Sequence, residues 1–230
     1  MSTPLLHLRT LFLLDGAGRI VSTREPVASR APLFSLVRGA ASRAWAVGAS
    51  VPNHIAAELD RLAAEEPLDA DFRRAPLHAA AYRSLVGNCL GSETGRTEFH
   101  GPAFSFPHLL ARPRGVVLVD DERLLESNFQ GWVRGEIAEG RAPLFAVAED
   151  GHPVSICFCA RRSDVAAEAG VETAASHRGR GFATRVVAAW AASIRAGGRV
   201  PLYSTSWSND TSLAVARKLG LVAYASNWSL

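Results

Sequence analysis

The residues with the clearest chemical potential form a short segment rich in glycine and arginine, Arg178-Gly179-Arg180-Gly181-Phe182-Ala183. Glycine at positions 179 and 181 lets the backbone adopt positive φ and approach a ligand closely. The first turn of a helix that follows leaves amide N–H groups unpaired beside the positive end of the helix dipole. The guanidinium groups of Arg178 and Arg180 add donors suited to phosphate oxygens. The segment therefore predicts an anion site made of main chain, wide enough for a diphosphate.

Two better-known phosphate motifs are excluded by spacing. Gly179, Gly181 and Ala183 occupy alternate positions, so the segment is not G-x-G-x-x-G, and no acidic residue stands about twenty positions downstream to bind a ribose. The chain has no Gly-Lys-Ser/Thr, which excludes a Walker loop. Taken alone, the segment also fits a plain glycine turn before a buried helix.

Two helices are predicted after the glycines. The first follows from apolar residues that recur every four positions, namely Phe182, Val186, Trp190 and Ile194. The second lies within residues 209–221, where Ser208 or Asn209 can cap the start and Gly220 suits a left-handed C-cap. A capped surface helix without any ligand also fits this second pattern.

With these two motifs the sequence resembles the GNAT superfamily of acyl-CoA N-acyltransferases over about residues 112–230. The pyrophosphate loop of that family has the pattern Arg/Gln-x-x-Gly-x-Gly/Ala, filled here by Arg178, Gly181 and Ala183. Residues 209–221 are similar to the family's next helix, which begins near a cofactor-contacting Asn and ends in Lys-Leu-Gly. The resemblance implies an α/β fold with a mixed, mostly antiparallel central sheet flanked by helices. Residues 1–111 would then form an α+β N-terminal extension or domain.

The resemblance also implies acetyl-CoA as cosubstrate, bound where the strand before the glycine loop splays from the next strand. Main-chain groups at the exposed edge of that strand would bind the pantetheine amides by strand addition. The residues expected to contact the cofactor are Val171, Thr173, Arg178, Gly179, Arg180, Gly181, Phe182, Ala183, Thr184, Asn209 and Ser212.

In the chemistry implied by the resemblance, a primary amine attacks the thioester directly. The amine must lose a proton to a base, and the thioester oxygen needs a donor as negative charge builds. Glu168 and Glu172 are the only carboxylates on the predicted strand 166–173, and they share one face because side chains alternate along a strand. Either is a candidate base, and either also fits a solubilising charge or an ion-pair partner of Arg161 or Arg162.

The family's usual general acid, a tyrosine in the helix after the Asn, aligns here with Ala216. Tyr203 is the candidate substitute, with Tyr224 and Ser206 as alternatives, although each also fits a packing role. A thiol with a pKa of about 8.5 is a tolerable leaving group near neutrality without a strong acid.

Two functions consequently stay open at this stage. The first is an N-acetyltransferase acting on an amine of a small molecule, peptide or protein. The second is a non-catalytic acyl-CoA-binding sensor, favoured by Ala216 and by a first half without a catalytic pattern. That first half either shapes the acceptor site or mediates self-association, for instance as a homodimer.

The other elements follow from apolar periodicity. Helices are predicted after Pro52, over 76–86 and through Leu125, Phe129, Val133 and Ile137, and strands over 8–14, 44–47, 116–119, 145–148, 154–158, 166–173 and 200–206.

Composition sets the broad class of the protein. With 230 residues, 48% of them hydrophobic, and a formal net charge of +3, the chain is globular and not disordered. The absence of a long apolar run and of a signal-like N-terminus predicts a cytoplasmic protein without a membrane span. The basic residues are isolated and the histidines scattered, which disfavours nucleic-acid binding and a metal site. The three cysteines are too few for a disulfide framework.

Overall fold

The structure is a computed structural model that describes residues 3–26, 29–90, 98–111 and 113–230. Its α-helices are α1 (Thr3–Leu11), α2 (Asn53–Glu65), α3 (Ala79–Leu90), α4 (Phe182–Ala196) and α5 (Asp210–Lys218). Its strands are β1 (Phe12–Leu14), β2 (Ile20–Thr23), β3 (Phe34–Gly39), β4 (Arg43–Val47), β5 (Phe99–Ser105), β6 (Val117–Val119), β7 (Leu144–Glu149), β8 (His152–Arg162), β9 (Ala166–Thr173), β10 (Val200–Ser204) and β11 (Val222–Ser229). Within the described ranges, no helix has the length and apolar character needed to cross a bilayer.

Nine strands form one sheet in the order β4-β3-β11-β5-β10-β9-β8-β7-β6, and β1 and β2 form a separate hairpin. Within the large sheet β9 and β10 run parallel, and all other neighbours are antiparallel. Helices α2 to α5 pack on one face through two apolar clusters. Helix α1 and the segment 122–141 pack on the other face. This confirms the predicted α/β class with a mostly antiparallel sheet flanked by helices.

Strand β5, which comes from the first half of the chain, lies between β10 and β11. Gly101 of β5 crosses the loop after β10 so closely that a Cβ atom would fall 1.8 Å from the carbonyl oxygen of Thr205. Only glycine fits at such a backbone contact. Strands from both halves therefore share one sheet. The division into residues 1–111 and 112–230 stays a prediction about domains, and its boundary residue 112 lies outside the described ranges.

Several elements agree closely with the predictions, including the helix after Pro52, the hairpin of β7 and β8, and β9 itself. The prediction of a strand over residues 8–14 is wrong for its first part, because α1 runs through Leu11. Leu8 and Leu11 lie three positions apart and face Val37 and Ala103 of the sheet. A short apolar run fits helix and strand equally well by sequence, and here its packing partners are distant in the chain.

The predicted helix through Leu125 and Ile137 is also wrong. The segment instead contains a 3-10 turn, Glu122–Leu125, and an irregular turn, Ile137–Arg141. Glu122 closes this loop, because its carboxylate accepts hydrogen bonds from the backbone N–H of Ile137 at 2.7 Å and from the indole N–H of Trp132 at 3.3 Å. A carboxylate that satisfies loop amides competes with the helical hydrogen-bond pattern, and periodicity alone does not reveal it.

Candidate active site

The glycine segment joins β9 to α4 in the conformation that its residues require. Gly179 and Gly181 have φ angles of 78° and 80°, in the left-handed region that favours glycine. Gly181 directly precedes α4, and no side chain caps the helix there. Thr184 donates its hydroxyl to the carbonyl of Gly181 at 2.7 Å, so this side chain stabilises the turn and leaves the amides free. The uncapped N–H groups of the first turn give the loop a positive potential.

The two arginines of the segment occupy different positions. Arg178 lies along the cleft described below, and its Nε donates to the carbonyl of Thr173 at 3.3 Å. Arg180 instead binds both carboxylate oxygens of Glu149, with one N–O distance of 2.7 Å, and its guanidinium stacks over Phe182. Arg180 is the one predicted cofactor residue that the structure does not bring to the cleft. Its partner lies 31 positions earlier, where local sequence gives no sign of the pair.

A cleft of about 710 Å³ lies between the end of β9 and the first turns of α4 and α5. Ten of the predicted cofactor residues line it: Val171, Thr173, Arg178, Gly179, Gly181, Phe182, Ala183, Thr184, Asn209 and Ser212. Sequence reasoning missed Asn128 and Phe129, which come from the loop closed by Glu122 and form another wall. The amide of Asn128 donates to the carbonyl of Pro153 at 2.8 Å, which fixes that wall against β8.

Strands β9 and β10 separate before β9 reaches the cleft. Their parallel pairing runs from Ala166 opposite Val200 to Glu168 opposite Leu202. Beyond Glu168, β9 continues to Thr173 paired only with β8, while β10 pairs with β5. The edge of β9 around Val171 is consequently left open, and an extended ligand can add to such an edge through main-chain hydrogen bonds.

Asn209 begins helix α5 as its N-cap. Its Oδ1 accepts a hydrogen bond from the backbone N–H of Ser212 at 3.0 Å, and the side chain lies on the cleft wall. The structure thus selects Asn209 over Ser208 as the cap.

Replacing Asn209 by Ala is expected to lower the free energy of unfolding by about 1 kcal/mol, the usual cost of losing an N-cap oxygen. Replacing it by Ser keeps a capping oxygen and should cost much less. Urea denaturation of the three proteins measures both effects. Equal stability of the alanine variant and the parent would show that the cap contributes nothing.

Glu168 is 2% exposed and has two strong partners. One carboxylate oxygen accepts from Arg161 at 2.7 Å, and the other accepts from the hydroxyl of Ser204. Burial by itself raises the pKa of Glu168, but the charges of Arg161 and His7 and the hydrogen bonds to the carboxylate outweigh burial, so the pKa lies below its usual value. The group is therefore ionised at neutral pH.

Glu172 lies four residues further along β9, and its side chain is exposed on the cleft wall. Partial burial raises its pKa, with Arg141 opposing and Glu136 adding to the shift. At a rise of about 3.3 Å per residue, the two carboxylates attach roughly 13 Å apart. They therefore lie at different places along β9.

Tyr203 is 1% exposed, and its hydroxyl lies 2.5 Å from the hydroxyl of Ser212, which lines the cleft. Burial raises the pKa of Tyr203 to about 12, so the phenol keeps its proton at neutral pH. Ala216 packs in the same apolar cluster.

A second cavity, of about 460 Å³, lies on the opposite face of the sheet. Glu168 and Ala169 of β9 line it, together with Ser204 and Thr205 at the end of β10. Strand β9 thus borders both cavities, since its residues 171–173 line the first one. Sequence reasoning gave no sign of this second cavity, because residues of the first thirty positions and of β11 complete it.

Comparison with known proteins gives one family match. Residues 122–226 match the sequence model of the GNAT acetyltransferase family. Among solved structures, a GNAT-family protein from Novosphingobium aromaticivorans is 22% identical, with a TM-score of 0.49 over 58% of this chain and 64% of its own. A GCN5-related N-acetyltransferase-like protein from Streptococcus suis is 19% identical, with a TM-score of 0.48 over 86% of this chain and 84% of its own. The chain thus spans just under two thirds of the first of these proteins. No curated protein matches the chain.

The family match contains the cleft, the strand divergence and both helix N-termini. It begins at Glu122, whose carboxylate closes the loop that forms one cleft wall, and it ends within β11. Residues 122–226 of the chain therefore match a GNAT acetyltransferase domain.

Proposed function

We propose that this domain transfers an acetyl group from acetyl-CoA to a primary amine by direct attack. The observation that carries the proposal is the arrangement along β9. The first cleft runs from the uncapped amides after Gly181 to the open edge of β9 around Val171, and Glu168 lies earlier on the same strand, where β9 separates from β10. An anion site, a strand edge and a buried carboxylate follow one another in the order that a nucleotide, a pantetheine arm and a thioester require.

Each part of the cosubstrate would meet a suitable group. The diphosphate would receive hydrogen bonds from the amides of α4's first turn and from Arg178. The pantetheine amides would pair with the main chain around Val171, as in strand addition. The thioester would then lie where β9 and β10 separate, between the two cavities.

The acceptor would approach from the second cavity, and its nitrogen would attack the thioester carbonyl carbon. A C–N bond forms, the C–S bond breaks, and the electron pair leaves with the thiolate. Glu168 would take the proton that the nitrogen loses, because it is ionised and borders the divergence. Tyr203 stays protonated and, through Ser212, would offer a proton toward the departing sulfur. Glu172 would flank the pantetheine without transferring protons.

The cytoplasm is part of the same proposal. Cys89, Cys157 and Cys159 are all free thiols in the structure, and free thiols persist in a reducing compartment.

The experiment is release of free CoA thiol from acetyl-CoA in the presence of a panel of primary amines, with calorimetry of acetyl-CoA binding alongside. We expect binding and amine-dependent thiol release. Tight binding with no release across the panel would contradict catalysis and favour a sensor of acyl-CoA. Failure to bind would contradict the cofactor site itself.

A further inference from the structure

The second cavity has a floor made by four adjacent strands. Glu168 of β9, Ser204 of β10, Phe99 of β5 and Asn227 of β11 all line it, and the first half of the chain covers it with side chains such as Phe12. A cavity of this size, with apolar walls and a few polar groups, is typical of a small-molecule site.

One end of the cavity carries a cluster of charged side chains. Arg161 pairs with both Glu168 and Glu25, so two carboxylates share one guanidinium. Glu168 lines the cavity next to the strand divergence, where its carboxylate suits an ammonium group. Arg30, which is exposed at the surface, also lines the cavity.

The other end carries a buried carboxamide. Asn227 is 4% exposed, and its carbonyl oxygen accepts from the hydroxyl of Ser35 at 3.4 Å. Ser35 in turn accepts from the hydroxyl of Ser229 at 3.0 Å. With the oxygen thus held, the amide N–H group, which has no hydrogen bond within the described part of the chain, is the donor that Asn227 can offer to a ligand.

The distance between these two ends follows from the strand register. Ser204 is opposite Ala103 of β5, and Asn227 is opposite Gly101 of the same strand. Two strand spacings and two residues along a strand separate Ser204 from Asn227, which places these residues roughly 12 Å apart.

We infer that the acceptor is an extended small-molecule primary amine whose far end carries a neutral hydrogen-bond-accepting oxygen, bound by Asn227. The inference rests on the proposed function, and it names the length and polarity of the substrate. In such a molecule the amine lies beside Glu168, the apolar body lies over Phe99, and an amide or other carbonyl oxygen accepts from the Asn227 carboxamide.

The test uses two series of amines with the full chain and saturating acetyl-CoA. The first series is the ω-amino amides H₂N–(CH₂)n–CONH₂, and the second is the n-alkylamines of equal length, which lack the oxygen. At about 1.2 Å per bond, an amide with about five methylenes spans the cavity. We expect kcat/KM to peak near that length and to favour the amide over the matched alkylamine by roughly tenfold, the effect of one buried hydrogen bond.

The variants Asn227→Leu and Asn227→Ala should abolish this preference, which is measured within each variant as the ratio of kcat/KM for an amide to kcat/KM for the matched alkylamine, so a general loss of folded protein cancels. Calorimetric titration of 6-aminohexanamide into the parent protein and the variants gives a readout that does not depend on turnover. Turnover without a length optimum, or an equal loss of both series in the variants, would overturn the inference and leave the proposed function intact. If neither series of amines is acetylated although acetyl-CoA binds, both the inference and the proposed function are overturned.

Discussion

Gly181→Val should abolish measurable acetyl-CoA binding. The residue directly precedes α4 with a φ of 80°, a conformation that costs an L-amino acid about 1–2 kcal/mol. Valine would relieve this strain by rotating the backbone, which turns the first amides of α4 away from the cleft. Hydrogen bonds to charged groups contribute about 1.5–3 kcal/mol each. Loss of one or two of these hydrogen bonds, together with the strain, predicts that the dissociation constant for acetyl-CoA, measured by calorimetry, rises at least about 100-fold.

The chain offers a matched control at the other end of the same helix. Gly198 follows α4 with a φ of 77°, and no atom lies within 4 Å of a Cβ built there. Gly198→Val therefore imposes similar backbone strain without touching the cleft, and it should keep its affinity for acetyl-CoA. Similar affinity in the two variants, whether lost or retained, would contradict a main-chain phosphate site at residues 179–184.

These residues also show why one part of the site was predictable. The glycine loop, the cap at Asn209 and the C-cap at Gly220, whose φ is 63°, are local features. The backbone conformation within a few positions requires these residue types, so the sequence alone predicts these features. The cleft consequently contains ten of the predicted cofactor residues.

The parts that sequence reasoning missed depend on contacts between distant segments. Arg180 is held by Glu149, the loop 122–141 is closed by Glu122, and β5 enters the sheet between β10 and β11. None of these contacts produces a periodic pattern in the sequence, because each partner by itself looks like an ordinary surface charge or a short apolar run. The second cavity was the hardest part to predict, since residues from the first half of the chain and from the last strand complete its lining.

Glu168→Gln should lower kcat for amine acetylation by roughly 10²–10³-fold, within the usual range for loss of a general base. Glutamine preserves the shape of the side chain: its oxygen can still accept from Arg161, and its amide N–H can donate to the hydroxyl of Ser204. Arg161 also keeps Glu25 as a partner, which limits the loss of stability. A steady-state assay at saturating acetyl-CoA measures the effect, and Glu172→Gln, which alters the other candidate base, should retain most of the parent kcat.

The pH profile tests whether Glu168 is ionised throughout the neutral range. Since the pKa of Glu168 is lowered in the folded protein, the carboxylate is ionised throughout the neutral range, and its stabilising contribution is lost only as acid titrates it. The parent kcat/KM should therefore rise with pH toward the pKa of the amine, about 10 for an alkylamine, without a limb from Glu168 near neutrality. Glu168→Gln should keep that slope at a lower level.

Glu25→Gln removes the same unit of charge from the Arg161 cluster without removing the base. We expect it to raise KM for the amine and to leave kcat nearly unchanged, because attraction of the ammonium weakens while the proton acceptor remains. If Glu168→Gln and Glu25→Gln instead raise KM equally and spare kcat, Glu168 only attracts the substrate, and the proton must leave the amine by another route.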